Sequence, residues 1–433
     1  MTIGEASNTQ KIALPALIAV LVCLILFSEG AFQRLVAPDM DEDGNTILRI
    51  MWLPVYAVVA ALALTQVRQI TALVVRMPFL MVLVVLAGLS FVWSIDPSLS
   101  MRRGFGVAMT TLFGLYLAAR FEWRTLILTL GGLWLGLSVL NFGGGLLAPG
   151  FARDDGVHLG AWHGFWFEKN TMGGHMARAA LIFGALMLID SKRVRLWAVG
   201  LALSVGLVLL STSITALLAT LLAAGVLLAG WALQGRRAIS VIGVWGGVTL
   251  AAIISALIAL QPDVVLALFG KDPTLTGRTD IWSALVDAIA QRPLIGYGYG
   301  AFWAPDSEPA YWVRAAVDWG APTAHNGWLE ITLALGLIGV TCFTFSFLGT
   351  LGRALLRLPD HRFALFAVGF LAQLALFSFS ESLLFELNNL VWVTYVAIAG
   401  TLVRGLSADG NVARRVQRHP SDLRLRCQPD GLI

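Results

Sequence analysis

Charge is what this sequence has least of. Only 13% of its 433 residues are Asp, Glu, Lys or Arg, against about 25% in soluble domains. That scarcity excludes a water-exposed globular surface. Hydrophobic residues make up 58% of the chain and the mean hydropathy is +0.78, the composition of an integral membrane protein. Cysteine is also scarce. Cys23 and Cys342 fall in apolar runs and Cys427 near the end, so they give neither a disulfide framework nor metal-ligand spacing. They read as small hydrophobes. A net charge of +4 makes no case for a nucleic-acid partner. No internal repeat or low-complexity run is evident.

What is present is a series of long apolar runs, and a spanning helix needs about 20 such residues. The sequence predicts an all-α polytopic bundle of twelve spans. They cover 12–32, 47–65, 77–94, 104–119, 125–147, 172–190, 196–212, 214–234, 238–260, 326–349, 363–380 and 388–403. The first run also resembles a signal peptide, with Ser28 and Gly30 as a small-residue cleavage site. Its charged leader is weak and its apolar core long, which favours a retained span. The chain divides into residues 1–260 with nine spans, a loop at 261–325, three spans within 326–404, and a basic tail at 405–433.

Orientation follows from the loops. The two ends and the loops near 68, 122, 192, 236 and 357 hold 19 of the 30 Lys and Arg, but only 7 of the 26 Asp and Glu. That set is expected in the cytoplasm, with both termini inside. The opposite face carries the acidic stretch 38–44, the segment 148–171 and the 261–325 loop. A long loop rich in Trp, Tyr and Gly is expected to be ordered and functional. The tail is expected to lie near anionic lipid.

Several residues on that face suit chemistry on an anionic substrate. Residues 279–291 have the apolar spacing of an amphipathic helix ended by Pro293. Arg278 would sit just before its N-terminus, where backbone N–H groups and an arginine together favour a phosphate. A surface ion pair with Asp272 or Asp280 is the plainer alternative. His325 directly precedes a span, and a neutral imidazole there can accept a proton from an attacking hydroxyl. It could equally be an interfacial residue bonded to water or backbone. Asn326 and Glu330 share a helix face one turn apart. An acid one turn into a membrane is costly and usually functional.

Lys169 and Asn170 follow an aromatic cluster and open the sixth span. Lys169 reads as a second anion contact or as a snorkelling lysine. Arg178, two turns further in, needs an anion, a carboxylate or a wet cavity. Glu381 or Glu386 could pair with it. Ser211 and Ser213, in the STSIT tip at 211–215, could bond a phosphate or a sugar, or simply make a polar turn. Tyr297, Tyr299 and Trp303 in RPLIGYGYGAFW look like a platform for sugar rings or a docking surface for the loop. The glycines follow no strand, so the nucleotide-loop reading fails. His158, His163 and His175 lie near one another in sequence, but their spacing is not that of a zinc site. No metal and no cofactor is expected.

FWFEKNTMGG (165–174), STSITALLA (211–219), LTGRTDIW (275–282), RPLIGYGYGAFW (292–303) and HNGWLEITLALGLIG (325–339) together resemble the O-antigen ligase and polymerase superfamily of bacterial envelope glycan enzymes. The exopolysaccharide-polymerase branch is the nearest likeness, and WSIDPSLSMRRG (93–104) resembles an early segment of the family. The resemblance implies a GT-C-like fold and a glycan donor carried on undecaprenyl diphosphate. It implies inverting, metal-independent transfer at the outer face of the bacterial plasma membrane. Arg278 would bind the diphosphate, and His325 would activate the acceptor hydroxyl or assist the leaving group. Where many relatives carry a basic residue in the serine/threonine motif, this chain has Ile214. Lys169 or Arg178 would then supply the missing charge. Implied partners are the lipid-linked glycan, the bilayer, and a chain-length regulator and flippase of the same pathway. A ligase acting on lipid A core or protein shares this donor chemistry. A lipid-linked sugar transporter is the reading from another class. Polar residues gathered at one face, with no inverted repeat, speak against it.

Overall fold

The computed structural model describes residues 13–28, 46–156, 158–232, 278–317 and 320–406, with a few single positions such as Arg34. The acidic stretch 38–44, the ninth expected span, residues 261–277 and the tail from 407, with Cys427, lie outside the described residues, apart from single positions within that span. Among the described residues the fold is all-helical, with one isolated bridge pairing Arg153 and Trp162.

Eleven of the expected spans coincide with helices. Five described helices are long and apolar enough to cross a membrane: Trp123–Leu147, Lys169–Ile189, Ser191–Leu210, Ile214–Ala232 and Gly327–Arg357. The helix pair Ile50–Leu64 and Val67–Arg76, bent by 93°, makes a sixth if it counts as one span. Val67–Arg76 was not expected as a helix. It carries polar residues on one face and buries Ile70 and Leu73 on the other, as a helix lying along an interface does. The remaining apolar helices are shorter. The chain is a multi-pass membrane protein.

Two helix starts that bear on the site differ from the sequence expectation. The fourth helix begins at Pro97 rather than 104, because Asp96 caps it by accepting a hydrogen bond from the Leu99 N–H and proline suits the first turn. The sixth begins at Lys169 rather than 172. Lys169 and Asn170 therefore belong to a helical first turn.

We number six helices that position the site: α1 (Pro97–Arg120), α2 (Lys169–Ile189), α3 (Ile214–Ala232), α4 (Arg278–Gln291), α5 (Gly327–Arg357) and α6 (Arg362–Phe377). Helix α2 is the hub and is almost wholly buried. Gln373 of α6 donates to Ala177 O in α2 at 2.9 Å and to Ala219 O in α3 at 3.1 Å. In an apolar medium such a side chain must find backbone partners, and here it ties three helices together.

Helix α5 runs 31 residues but breaks at Gly336, where φ is 64° and ψ −165°. The 293–298 loop fills the break. Leu337 and Ile338 donate to the carbonyls of Pro293 and Leu294, at 2.8 and 3.2 Å. Tyr297 and Gly298 donate to Leu333 O and Ala334 O, at 2.7 and 3.1 Å. The groups freed by the break are thus paired again. A Cβ on Gly336 would lie 2.1 Å from the Leu294 carbonyl carbon, so this position requires glycine. Ile281, Leu285, Tyr297, Phe302, Val313 and Leu333 form a small core of their own that seats α4 and the loop against α5.

Candidate active site

His325 stands in a tight turn at the head of α5. Its φ is 47°, a left-handed conformation uncommon for residues other than glycine. The turn is held from both sides. Asn326 caps α5, its Oδ1 accepting from the Trp328 and Leu329 N–H groups at 3.0 and 3.2 Å. Glu330 Oε1 accepts from the Ala324 N–H at 2.6 Å, one residue before the histidine. Trp303 Nε1 donates to both Glu330 oxygens at 3.1 Å, and Ser382 Oγ donates at 3.3 Å. The carboxylate at the membrane boundary is therefore satisfied by the protein. Asn326 and Glu330, picked out in the sequence as substrate-binding candidates on one helix face, both make hydrogen bonds to the turn that carries His325.

Arg278 is the first residue of α4 rather than the residue before it. Among the described residues it is not seen paired with Asp280. Asp280 is exposed on the same helix, and Asp272 lies outside the described residues. Arg278 Nη2 instead lies 3.8 Å from Glu381 Oε1, in the connection that follows α6. Burial pushes the His325 imidazole down to about 4, with the Arg278 charge as the second cause. Guanidinium and imidazole are thus close enough to act on each other. Burial pushes Glu381 up to about 7, opposed by Arg278 and Arg178 and reinforced by Glu168. Arg178 also lies over the Phe377 ring at 4.7 Å. Two arginines and two carboxylates share one electrostatic neighbourhood.

Lys169 is buried, and its Nζ donates to Thr212 Oγ1 at 3.2 Å. The structure therefore brings the expected second cation to the STSIT tip, where Ile214 carries no charge. Asn170 is half-buried beside it. Ser211 Oγ donates to Val208 O at 2.7 Å and accepts from the Ser213 N–H at 3.3 Å. A Cβ on Gly173 would come within 2.7 Å of Ser211 Oγ, so the tip sits directly against α2. Ser211 and Ser213 are both buried and shape the turn.

Of the two readings of the tyrosines, the contacts favour a docking surface for the loop. Tyr297 and Tyr299 are only 2% and 5% exposed. Their hydroxyls donate to Ala288 O at 2.6 Å and Phe385 O at 2.8 Å. They hold the loop to its neighbours, as buried tyrosines that find a partner do. Trp303 is committed to Glu330. The three histidines near 163 do different things. His163 Nδ1 lies 3.0 Å from Arg34 Nη1. His175 packs between the Trp134 and Trp166 rings, at 5.4 and 4.9 Å. Among the described residues no group of three or more His, Cys, Asp or Glu is placed to hold a metal.

Sequence reasoning missed Glu381 and Glu168 as members of the cluster. Glu381 was weighed only as a possible partner of Arg178. The available signal was SESLLFE (380–386), two acids in a short connection between apolar runs.

Comparison with known proteins agrees with the motifs. Residues 199–344 match the family model described as O-antigen ligase. That range includes the STSIT tip, Arg278 and His325, whereas Lys169, Arg178 and Glu381 fall outside it. The chain is also 29% identical over 338 residues to the exopolysaccharide production protein ExoQ of Rhizobium meliloti, covering 74% of each chain. In sequence the chain is thus similar to the O-antigen ligase and exopolysaccharide branch of envelope glycan proteins.

Proposed function

We propose that this protein polymerises lipid-linked oligosaccharide repeat units, transferring a growing glycan from undecaprenyl diphosphate onto the next repeat unit. The observation that carries the reading is the joining of Arg278 and His325 at the mouth of α5, with Arg178 of α2 linked to Arg278 through Glu381. The acceptor hydroxyl oxygen attacks the anomeric carbon of the donor. The bond from that carbon to the diphosphate oxygen breaks, with inversion. His325 takes the hydroxyl proton, and the diphosphate leaves with the bonding electrons. Arg278, Lys169 and Arg178 offset the charge that grows on it, as donors fixed in advance where charge develops. The donor carries its own leaving group, so orientation and charge stabilisation suffice.

The same reading takes the chain as a GT-C-like enzyme of the bacterial inner membrane, with twelve crossings, cytoplasmic termini and the site on the periplasmic face. Its functional divisions would be 1–260, the loop 261–325, 326–404 and the tail 405–433. A chain-length regulator and a flippase would act in the same pathway. The match to an O-antigen ligase model favours one second reading, transfer of finished glycan to lipid A core or protein, since both reactions share the donor half of the site.

The test is the glycan profile of cells whose sole copy carries His325→Ala, with membrane expression verified. Single repeat units accumulating on the carrier lipid support the polymerase. Long polymer stranded on the carrier, with bare acceptor, supports the ligase. Normal glycan from both His325→Ala and Arg278→Ala at normal protein level rejects both.

A further inference from the structure

A cavity of about 320 Å³ opens beside the histidine turn, between the 298–304 loop, the head of α5 and the 382–388 connection. Its size is at the small end of ligand pockets, which run from about 300 to about 1,000 Å³. Thr323, Gly327 and Ser382 line it. They are close neighbours in sequence of His325 and Glu381, so the cavity adjoins the candidate active site.

Its charged residues are Arg103, Glu330 and Glu386. Arg103 comes from the second turn of α1, which the Asp96 cap places at this end of the bundle. The arginine lies against the loop backbone: a Cβ on Gly300 would meet Arg103 Cδ at 2.2 Å. Its charge acts on both Glu330 and Tyr299. Glu386 accepts from Asn389 Nδ2 at 2.8 Å. Tyr299, Phe302, Trp303 and Phe385 supply aromatic wall, with the Tyr299 and Phe385 rings 5.2 Å apart.

We propose that this cavity binds a neutral sugar residue of the acceptor glycan. The charge balance decides between candidate ligands. Two carboxylates face one guanidinium here, so the cavity repels a diphosphate. The neighbouring cluster is less acidic, with Arg278 and Arg178 matched against Glu381 and Glu168. A neutral sugar suits the cavity on every wall. Its hydroxyls donate to Glu386 and accept from guanidinium N–H groups, and an apolar C–H face packs on Trp303, the half-buried ring of the four. The assignment of the sugar as the acceptor rests on the reaction proposed above. The binding itself does not.

The experiment uses the full chain in lipid nanodiscs. The probe is the neutral oligosaccharide fraction released by mild acid from the polysaccharide of the source cells, with inorganic pyrophosphate as competitor. Equilibrium binding is measured for the parent protein, for Ala304→Phe, which fills the cavity, and for Glu386→Gln, which keeps the side-chain shape. We expect at least tenfold weaker binding in Ala304→Phe, several-fold weaker binding in Glu386→Gln, and no displacement by pyrophosphate. No binding to the parent protein, unchanged affinity in a folded Glu386→Gln, or displacement by pyrophosphate overturns the proposal. Cavity-dependent sugar binding in a protein that consumes no lipid-diphosphate donor would reject the reaction and leave the sugar site standing.

Discussion

Arg278 Nη2 and Glu381 Oε1 face each other at 3.8 Å, joining the head of α4 to the connection after α6. Burial brings Glu381 to about 7, so its proton comes and goes near physiological pH. Ionised Glu381 holds Arg278 and, on the proposed reaction, competes for it with the donor diphosphate. Protonated Glu381 releases the arginine. Donor affinity should therefore weaken as pH rises through about 7 and strengthen below it. Glu381→Gln should remove this dependence and lower the donor KM on the alkaline side. Donor KM measured from about pH 6 to about pH 8 checks this. A flat profile in the parent protein refutes the competition.

His325 titrates at about 4, held down first by burial and then by Arg278. A histidine with a depressed value stays neutral well into the acid range. The acid limb of kcat/KM that belongs to the free enzyme's imidazole should thus appear near 4 rather than near the ordinary histidine value of about 6.5. Arg278→Ala removes the second cause and leaves the first, so the limb should move up without reaching the ordinary value. The same variant should lose roughly 10²-fold in kcat, about 3 kcal/mol of transition-state stabilisation, by analogy with a lost oxyanion donor. A pH–rate profile of the parent and the variant tests both statements.

Residues whose chemistry acts at a chain boundary were legible in the sequence. His325 before an apolar run, Arg278 at the head of an amphipathic segment and Lys169 opening a span were all singled out as candidates by position and type. What was not legible was which partner each would take. Glu381 and Arg278 are separated by about a hundred residues, and only tertiary packing joins them. For Tyr297 and Tyr299 the sequence left a sugar platform and a docking surface for the loop both open, and the break at Gly336, which draws that loop into α5, favours the second. Arg103 was hidden by reading 97–103 as loop. The cap at Asp96 extends the helix and sets Arg103 on it.

Glu330 is best tested by charge-neutral replacement. Its carboxylate gathers donors from Ala324, Trp303 and Ser382. Glu330→Gln turns one acceptor oxygen into an NH2 group, which must then face an indole or backbone N–H. A donor left unsatisfied there costs about 1–3 kcal/mol, and the His325 turn loosens with it. Expected results are a lower melting temperature and a reduced kcat, with donor KM little changed. Glu330→Asp keeps the charge but withdraws it by one methylene, and should recover part of the stability. A kcat equal to that of the parent in Glu330→Gln would remove the clamp role.

Gly336 offers the sharpest separation of packing from chemistry. Its φ of 64° is strained for any residue with a Cβ, and a Cβ there would fall 2.1 Å from the Leu294 carbonyl carbon. The backbone term alone is about 1–3 kcal/mol, and relieving the overlap requires the 293–298 loop to leave α5. Gly336→Ala should therefore lower the melting temperature and expose the loop to protease. Gly352, in the same helix, has open space where a Cβ would go. Gly352→Ala should be neutral or stabilising by up to about 1 kcal/mol. If both variants lose stability equally, a general intolerance of α5 to substitution explains the result. If only Gly336→Ala does, the broken helix is what anchors the 293–298 loop.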